Sequence, residues 1–282
     1  MELNASGDHY ASIRRPYMKT EHLRFIDLSV ALENDVPADP PGLRPTITYT
    51  DHRKGAQQIA SMFPGLSPEQ LPDGEGWAVE DIKLHTHAGT HMDAPVHYAS
   101  TMNGGERAIG IDEIPLDWCM APGVKLDFRR FPDGYVATAD DVAQELARIE
   151  HTLKPRDIVL VNTAAAVAYG TPAYIDSGCG MGREATLYLL SRGVRVVGTD
   201  GWSWDAPFSH TRARFLREGD PSIIWEGHKA GRDIGYGQLE KLTNLHLLPA
   251  HGFTVCCFPY KIKGASAGFT RAVAILDEAP TA

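Results

Sequence analysis

The chain has 282 residues, of which 43% are hydrophobic and 22% charged, with a net charge of -9. That length suits one large domain or two small ones, and the composition is that of a globular protein with a sizeable core. The acidic balance argues against a nucleic-acid partner or an anionic lipid surface, and no apolar run reaches the length of a membrane span. Cys119, Cys179, Cys256 and Cys257 are too few and too irregularly spaced for a disulfide framework, so they read as packing thiols. Residues 1–22 carry no apolar core of the signal-peptide kind, which makes the cytoplasm the expected compartment.

In chain order, residues 1–22 read as an N-terminal arm, disordered or draped on a neighbouring subunit, ahead of a body over residues 23–282. Phe25 to Leu32 is a plausible first strand, followed by the Pro-rich bend Val36-Pro37-Ala38-Asp39-Pro40-Pro41-Gly42. Thr46 to Thr50 alternates enough for a second strand. Gln57 to Trp77 reads as a long loop bearing Met62, Phe63, Leu66 and Trp77, either a lid over a binding site or a surface loop tucked onto the core.

The stretch His87-Ala88-Gly89-Thr90-His91-Met92-Asp93-Ala94-Pro95-Val96-His97 follows. Neutral imidazoles and a carboxylate are the donors that zinc or manganese takes from a protein. On a helix His87 and His91 would share a face, but Asp93 would turn away and Gly89 and Pro95 would weaken the helix. In an extended segment His85, His87, His91, Asp93 and His97 all point one way. The extended reading fits better, with Gly89 bending the backbone so that the ligands converge.

Asn103-Gly104-Gly105 is a turn, and Val124 to Phe128 alternates as a strand. Thr138 with Asp140 and Asp141 marks a helix N-cap, and Val142, Leu146 and Ile149 share the face of the helix that follows. Ile158 to Val161 suits a strand buried on both faces. Arg183 to Arg192 reads as a helix closed by Gly193, and Val194 to Asp200 as the next strand. A helix between two buried strands is a crossover unit. The expected fold is therefore α/β, a single domain with a mixed β-sheet core flanked by helices. Trp202 and Trp204 follow a strand end, where α/β proteins tend to bind ligands; they either wall a flat substrate or sit in the core. Phe253 to Phe258 reads as a buried strand.

The histidine stretch resembles the H-x-G-T-H-x-D-x-P-x-H signature of the metal-dependent cyclase family, which includes bacterial kynurenine formamidases and isatin hydrolases. It matches at every fixed position. The resemblance implies a swivelling β/β/α fold, metal binding by His87, His91 and Asp93, and acid-base work by His97. His228, followed twelve positions later by Glu240 in Glu240-Lys241-Leu242-Thr243-Asn244-Leu245, is similar to the family's second element. By themselves these two residues say little; the resemblance implies that they complete a second metal position with Asp93 bridging. Asp200-Gly201-Trp202-Ser203-Trp204-Asp205 resembles the family's D-x-x-S-x-D segment, and the likeness extends over roughly Phe25 to Leu276. The family also implies a homodimer or homotetramer.

The chain departs from the kynurenine formamidases in the Pro-rich bend, where they carry a tryptophan and this chain has Pro37-Ala38-Asp39. Cys179-Gly180 stands where the family has Pro-Gly, and His85 is extra. The expected function is a hydrolase using one or two divalent ions, Zn2+ or Mn2+, to open a C–N bond in a small cyclic amide or imide. His97 serves as general acid and base, and Trp77, Trp202 and Trp204 contact the substrate. An arylformamidase acting on N-formyl-kynurenine, a lactone hydrolase, and a metal-dependent binding protein without chemistry are the alternatives. A structural zinc site would instead be closed and commonly include Cys, which the signature lacks.

Overall fold

The buried run Ile158-Val159-Leu160-Val161 is the middle of the molecule, and its alternation divides the core in two. Ile158 and Leu160 join Leu239, Val255 and Ala274 on one face of a sheet, while Val159 and Val161 join Leu126 and Val197 on the other. The computed structural model describes residues 22–278; the expected N-terminal arm lies almost wholly outside the described residues.

Nine strands form this mixed sheet. In chain order they are β1 (Leu23–Asp27), β2 (His91–Asp93), β3 (Met120–Asp127), β4 (Ile158–Asn162), β5 (Val196–Thr199), β6 (Gly237–Glu240), β7 (His251–Cys256), β8 (Ala267–Phe269) and β9 (Val273–Asp277). They lie side by side as β1-β9-β7-β3-β4-β5-β6-β2-β8. The centre, β3 through β6, is parallel, and the pairings on either side of it are antiparallel. Parallel neighbours need crossovers, and the chain supplies α3 (Ala139–Arg148) between β3 and β4 and α4 (Arg183–Leu190) between β4 and β5. Both helices pack on the Val159 face through Val142, Leu146, Ala185 and Leu189. The opposite face is covered by short turns that contribute Ile111, Ile114, Leu245 and Leu248.

The local signals act as expected where they are strong. Thr138 Oγ1 accepts from the Asp141 backbone N–H at 3.2 Å, and Asp141 Oδ2 takes the Thr138 backbone N–H at 2.8 Å, a reciprocal cap that starts α3. Gly193 takes φ +90°, which ends the turn after α4. All four cysteines are free, and three are buried.

Three expectations need correction. The first strand stops at Asp27, because its carboxylate takes the Ser29 backbone N–H at 3.1 Å and forms a local turn. The segment from residue 57 does not begin as a loop: Asp51 caps α1 (His52–Met62) by accepting from the Lys54 N–H at 2.9 Å. Gly55 in that helix lies against the Trp77 carbonyl so closely that a Cβ there would come within 1.8 Å of it. Finally, the signature is not one extended segment. Only His91–Asp93 is strand; residues 85–88 form a turn, Gly89 takes φ +60°, and Pro95 opens a one-turn helix, α2 (Pro95–Tyr98). Proline is tolerated at that first helical position because its missing N–H has no intrahelical partner anyway.

Candidate metal centre

Strand β2 lies between β6 and β8, antiparallel to both. Its register pairs Asp93 with Gln238, Met92 with Leu239, and His91 with Glu240. Because side chains alternate, Met92 and Leu239 enter the core while His91, Asp93, Gln238 and Glu240 share the other face. Two local bends bring in the remaining imidazoles of the signature. The turn before Gly89 returns His87 to Asp93, with Nδ1 2.8 Å from Oδ1. The α2 turn brings His97 Nε2 to 3.8 Å from Oδ2. His228 arrives from α5 (Glu226–Lys229), with Nε2 3.8 Å from Asp93 Oδ2 and 3.5 Å from Glu240 Oε1.

Each oxygen of Asp93 therefore faces its own group of donors, Oδ1 toward His87 and His91 and Oδ2 toward His97 and His228. His91, Asp93, His228 and Gln238 are at most 1% exposed, and Glu240 is 6% exposed. Carbonyls and carboxylates set the imidazole tautomers. His91 Nδ1 lies 2.9 Å from the Gly89 carbonyl, which only accepts, so Nδ1 carries the hydrogen and Nε2 a lone pair. His228 Nδ1 is held in the same way by Asp205 Oδ2 at 2.5 Å. Outer carboxylates and carbonyls of this kind orient metal-ligating imidazoles.

That orientation leaves His91 Nε2 and Asp93 Oδ1 facing each other at 3.2 Å, buried, with no well-aligned hydrogen-bond partner among the described residues, although His87 Nδ1 is close to the same oxygen. Two lone-pair atoms at that distance need a cation or a proton between them. Burial lowers the His91 pKa, but the Asp93 charge outweighs it and the net direction is up. Burial likewise pushes the Asp93 carboxyl up, and the imidazoles around it pull it well below the usual range. Two donor groups that share Asp93 fit a divalent cation: the closest nitrogens and oxygens of His91, Asp93 and Glu240 lie within 4.8 Å of one another, as do those of His87, Asp93 and His97. The second position implied for His228 and Glu240 differs. The Gln238 amide nitrogen stands there, 2.7 Å from Glu240 Oε1, 3.0 Å from His228 Nε2 and 3.4 Å from Asp93 Oδ2.

The centre opens into a cavity of about 250 Å³ whose wall includes His87, His97, Trp202, Trp225, Asp39 and Lys241. His97 has a pKa lowered to about 4, first by burial and then by the His87 and His228 charges, against the opposing pull of Asp93. At that value the ring is unprotonated at neutral pH.

Of the three tryptophans expected on the substrate wall, only Trp202 lines the cavity. Trp204 is 1% exposed and belongs to the core, where Nε1 donates to Thr186 Oγ1 at 2.9 Å; its backbone N–H supports Glu240 Oε1 at 3.1 Å. Trp77 is 41% exposed and donates to Gln58, and no residue between 57 and 77 lines the cavity. Sequence reasoning missed Trp225, which stacks on His228 at 4.5 Å and meets His97 edge-on at 5.0 Å. It also missed Gln238, although a residue two before Glu240 on a strand must share its face. Asp205 was noticed only as part of a segment, without its hold on His228.

The family described as Putative cyclase matches residues 26–206. A kynurenine formamidase of Salinibacter ruber is 28% identical over 200 residues, covering 71% of this chain and 79% of its own. One of Erythrobacter litoralis is 28% identical over 213 residues, covering 76% and 83%. Among solved structures, an isatin hydrolase bound to the product analogue thioisatinate superposes with a TM-score of 0.69 at 21% identity, covering 91% of this chain and 93% of that one. Isatin hydrolase A from Labrenzia aggregata, bound to benzyl benzoate, gives 0.68 at 24% identity, covering 91% and 95%. These likenesses show a shared fold, and the family match spans well over half of the sequence. The chain belongs to the cyclase family.

Proposed function

We propose that this protein is a metal-dependent hydrolase that opens the C–N bond of a small cyclic amide or imide. The observation that carries the reading is the buried pair His91 Nε2 and Asp93 Oδ1, unpartnered among the described residues and next to His87, His97 and Glu240, which line an aromatic-walled cavity. A divalent cation held there, Zn2+ or Mn2+, would polarise a carbonyl and lower the pKa of water toward about 7. His87, His91, Asp93 and Glu240 are the residues that would hold it. With Gln238 standing between His228 and Glu240, one ion is favoured over two.

His97 does the proton work. As water adds to the carbonyl carbon, its proton passes to His97 Nε2. The imidazolium then returns that proton to the nitrogen as the C–N bond breaks, leaving an acid and an amine or amide on one opened chain. The low pKa of His97 keeps its lone pair available at neutral pH. Trp202 and Trp225 line the cavity, where their indoles would pack against a ring substrate and keep water away from it. The kynurenine formamidase relatives keep arylformamide hydrolysis as the second reading. The same family reading carries a homodimer or homotetramer, which sedimentation velocity would test.

Metal-loaded protein incubated with a cyclic imide, isatin, a lactone and N-formyl-kynurenine tests the proposal. Faster turnover of the imide or isatin than of the formyl substrate is expected. Binding without conversion across the panel would instead make the protein a metal-dependent binder.

A further inference from the structure

One ion pair in the cavity wall has no part in the chemistry above. The side chains of Lys241 and Asp39 are 3% and 7% exposed, they form a salt bridge, and both line the cavity. Lys241 Nζ also donates to the His87 carbonyl at 2.9 Å, and Asp39 Oδ1 also accepts from Trp202 Nε1 at 2.8 Å. Lys241 takes φ +56°, a left-handed conformation uncommon for a long side chain. Its backbone is pinned there from both sides: its N–H donates to the Gly201 carbonyl at 3.0 Å, and its carbonyl accepts from Thr90 Oγ1 at 2.7 Å. Backbone strain persists where surrounding contacts impose it, and it concentrates at functional sites. A desolvated ion pair is weak evidence for stability, because burial offsets most of the attraction. Its placement beside the His87 ligand is what asks for a role.

An ammonium has three hydrogens to donate, and two are used within the wall. Asp39 Oδ2 accepts no hydrogen bond from the described residues. The pair thus keeps one ammonium hydrogen and one carboxylate oxygen outside any hydrogen bond among the described residues, in two side chains that both line the cavity. We infer that Asp39 and Lys241 read the N–H and C=O edge of a cyclic amide or imide, Asp39 Oδ2 accepting the ring N–H and Lys241 Nζ donating to the neighbouring ring carbonyl. This rests on the hydrolase reading of the same site and adds the feature that selects the substrate.

A small ring holds N–H and C=O cis, on one edge, whereas an open-chain secondary amide is trans and puts them on opposite edges. In an imide, holding the N–H and one carbonyl leaves the second carbonyl for hydrolysis. N-formyl-kynurenine carries a zwitterionic amino-acid tail that would need charged partners, and charged groups do stand in the wall. Asp39 already neutralises Lys241, however, and Asp93 and Glu240 add two further acids nearby, so an extra carboxylate meets no spare cation among these side chains.

The test compares succinimide with N-methylsuccinimide on the metal-loaded full chain, using stopped-flow tryptophan fluorescence to read association before turnover. Asp39→Leu combined with Lys241→Met removes both charges together, which avoids leaving either one buried and unpaired; metal content and Tm check its fold. At least tenfold tighter binding of the N–H imide is expected in the wild type, and a ratio near one in the double variant. Equal affinities in the wild type overturn the inference, as does no binding of succinimide. A ratio that survives in the double variant also overturns it, because the methyl group would then be excluded by shape alone. Tighter binding of N-formyl-kynurenine than of succinimide, lost in the double variant, would assign the pair to an amino-acid tail instead. If the double variant does not fold, the wild-type comparison still overturns the inference when its ratio is near one, and Asp39→Asn, which keeps the shape and weakens the acceptor, replaces the double variant: a lowered ratio supports the inference and an unchanged ratio overturns it. Discrimination without hydrolysis would sink the hydrolase reading and leave this assignment in place; hydrolysis without discrimination would do the reverse.

Discussion

His91 Nε2 and Asp93 Oδ1 face each other at 3.2 Å, buried and with no hydrogen to share when the imidazole is neutral. Such a contact is unfavourable until a cation or a proton joins it. The metal-free protein should therefore gain stability on adding Zn2+ or Mn2+, by about 2.7 kcal/mol at a hundred times the Kd. Thermal unfolding measures the gain, and a chelator should reverse it. His91→Ala and Asp93→Asn should each lose most of the shift. A wild-type Tm that ignores both metals would remove the site from consideration.

His97 borders the same cluster but has the cavity in front of it. His97→Ala should keep the metal-induced rise in Tm while turnover falls by about 10²- to 10⁴-fold, the usual range for losing a general acid-base group. Metal content and steady-state rates, taken on one preparation, separate the two effects. Loss of metal together with activity would make His97 a ligand rather than a proton carrier.

Gln238 occupies the space among Asp93, His228 and Glu240 with its amide nitrogen. Wild-type protein should bind one ion per chain by elemental analysis. Gln238→Ala vacates that space and should raise the stoichiometry toward two. Without metal the same variant leaves buried acceptors unpaired and should lose about 1–3 kcal/mol. A stoichiometry of two in the wild type would show that the amide yields to a second ion.

Asp200 follows β5 and is 1% exposed, with Oδ1 accepting from the Thr163 backbone N–H at 2.8 Å and from Oγ1 at 2.7 Å. Burial pushes its pKa up to about 7, and the Thr163 hydrogen bonds oppose only part of that. Between about pH 4 and pH 7 the folded state holds a proton that the unfolded state has released. The contribution of this group is thus present at low pH and lost as pH rises to 7, by roughly 4 kcal/mol at three pKa units. Asp200→Asn keeps the acceptor and removes the charge. It should be more stable than wild type at pH 8, with the difference shrinking toward pH 5 in urea unfolding. A difference that does not change with pH would show that Asp200 is ionised throughout.

Much of this protein was legible one segment at a time. The Thr138 cap, the buried run of β4, the crossover helix before Gly193 and the bend at Gly89 all follow from sterics and hydrogen bonds within a few residues. So does the chemistry of the histidine stretch, because its donors are neighbours in the chain. The extended reading of that stretch erred because period two suits a strand, whereas a glycine in the left-handed region and a proline at a helix start each redirect the chain.

What the tertiary structure alone decided is which distant residues meet. Gln238 reaches Asp93 across 145 positions, and Lys241 reaches Asp39 across 202. The first meeting depends on the register of β2 against β6, and a slip of one residue would turn Asp93 into the core and Met92 to the site. The same long-range packing put Trp204 in the core, left Trp77 outside the cavity and brought in Trp225, none of which has a local signal. The sequence by itself determined the donor atoms and the local turns that gather them, since those are short-range matters. The cavity, its charged pair and the amide beside Asp93 were decided by sheet register and packing, which no window of neighbouring residues encodes.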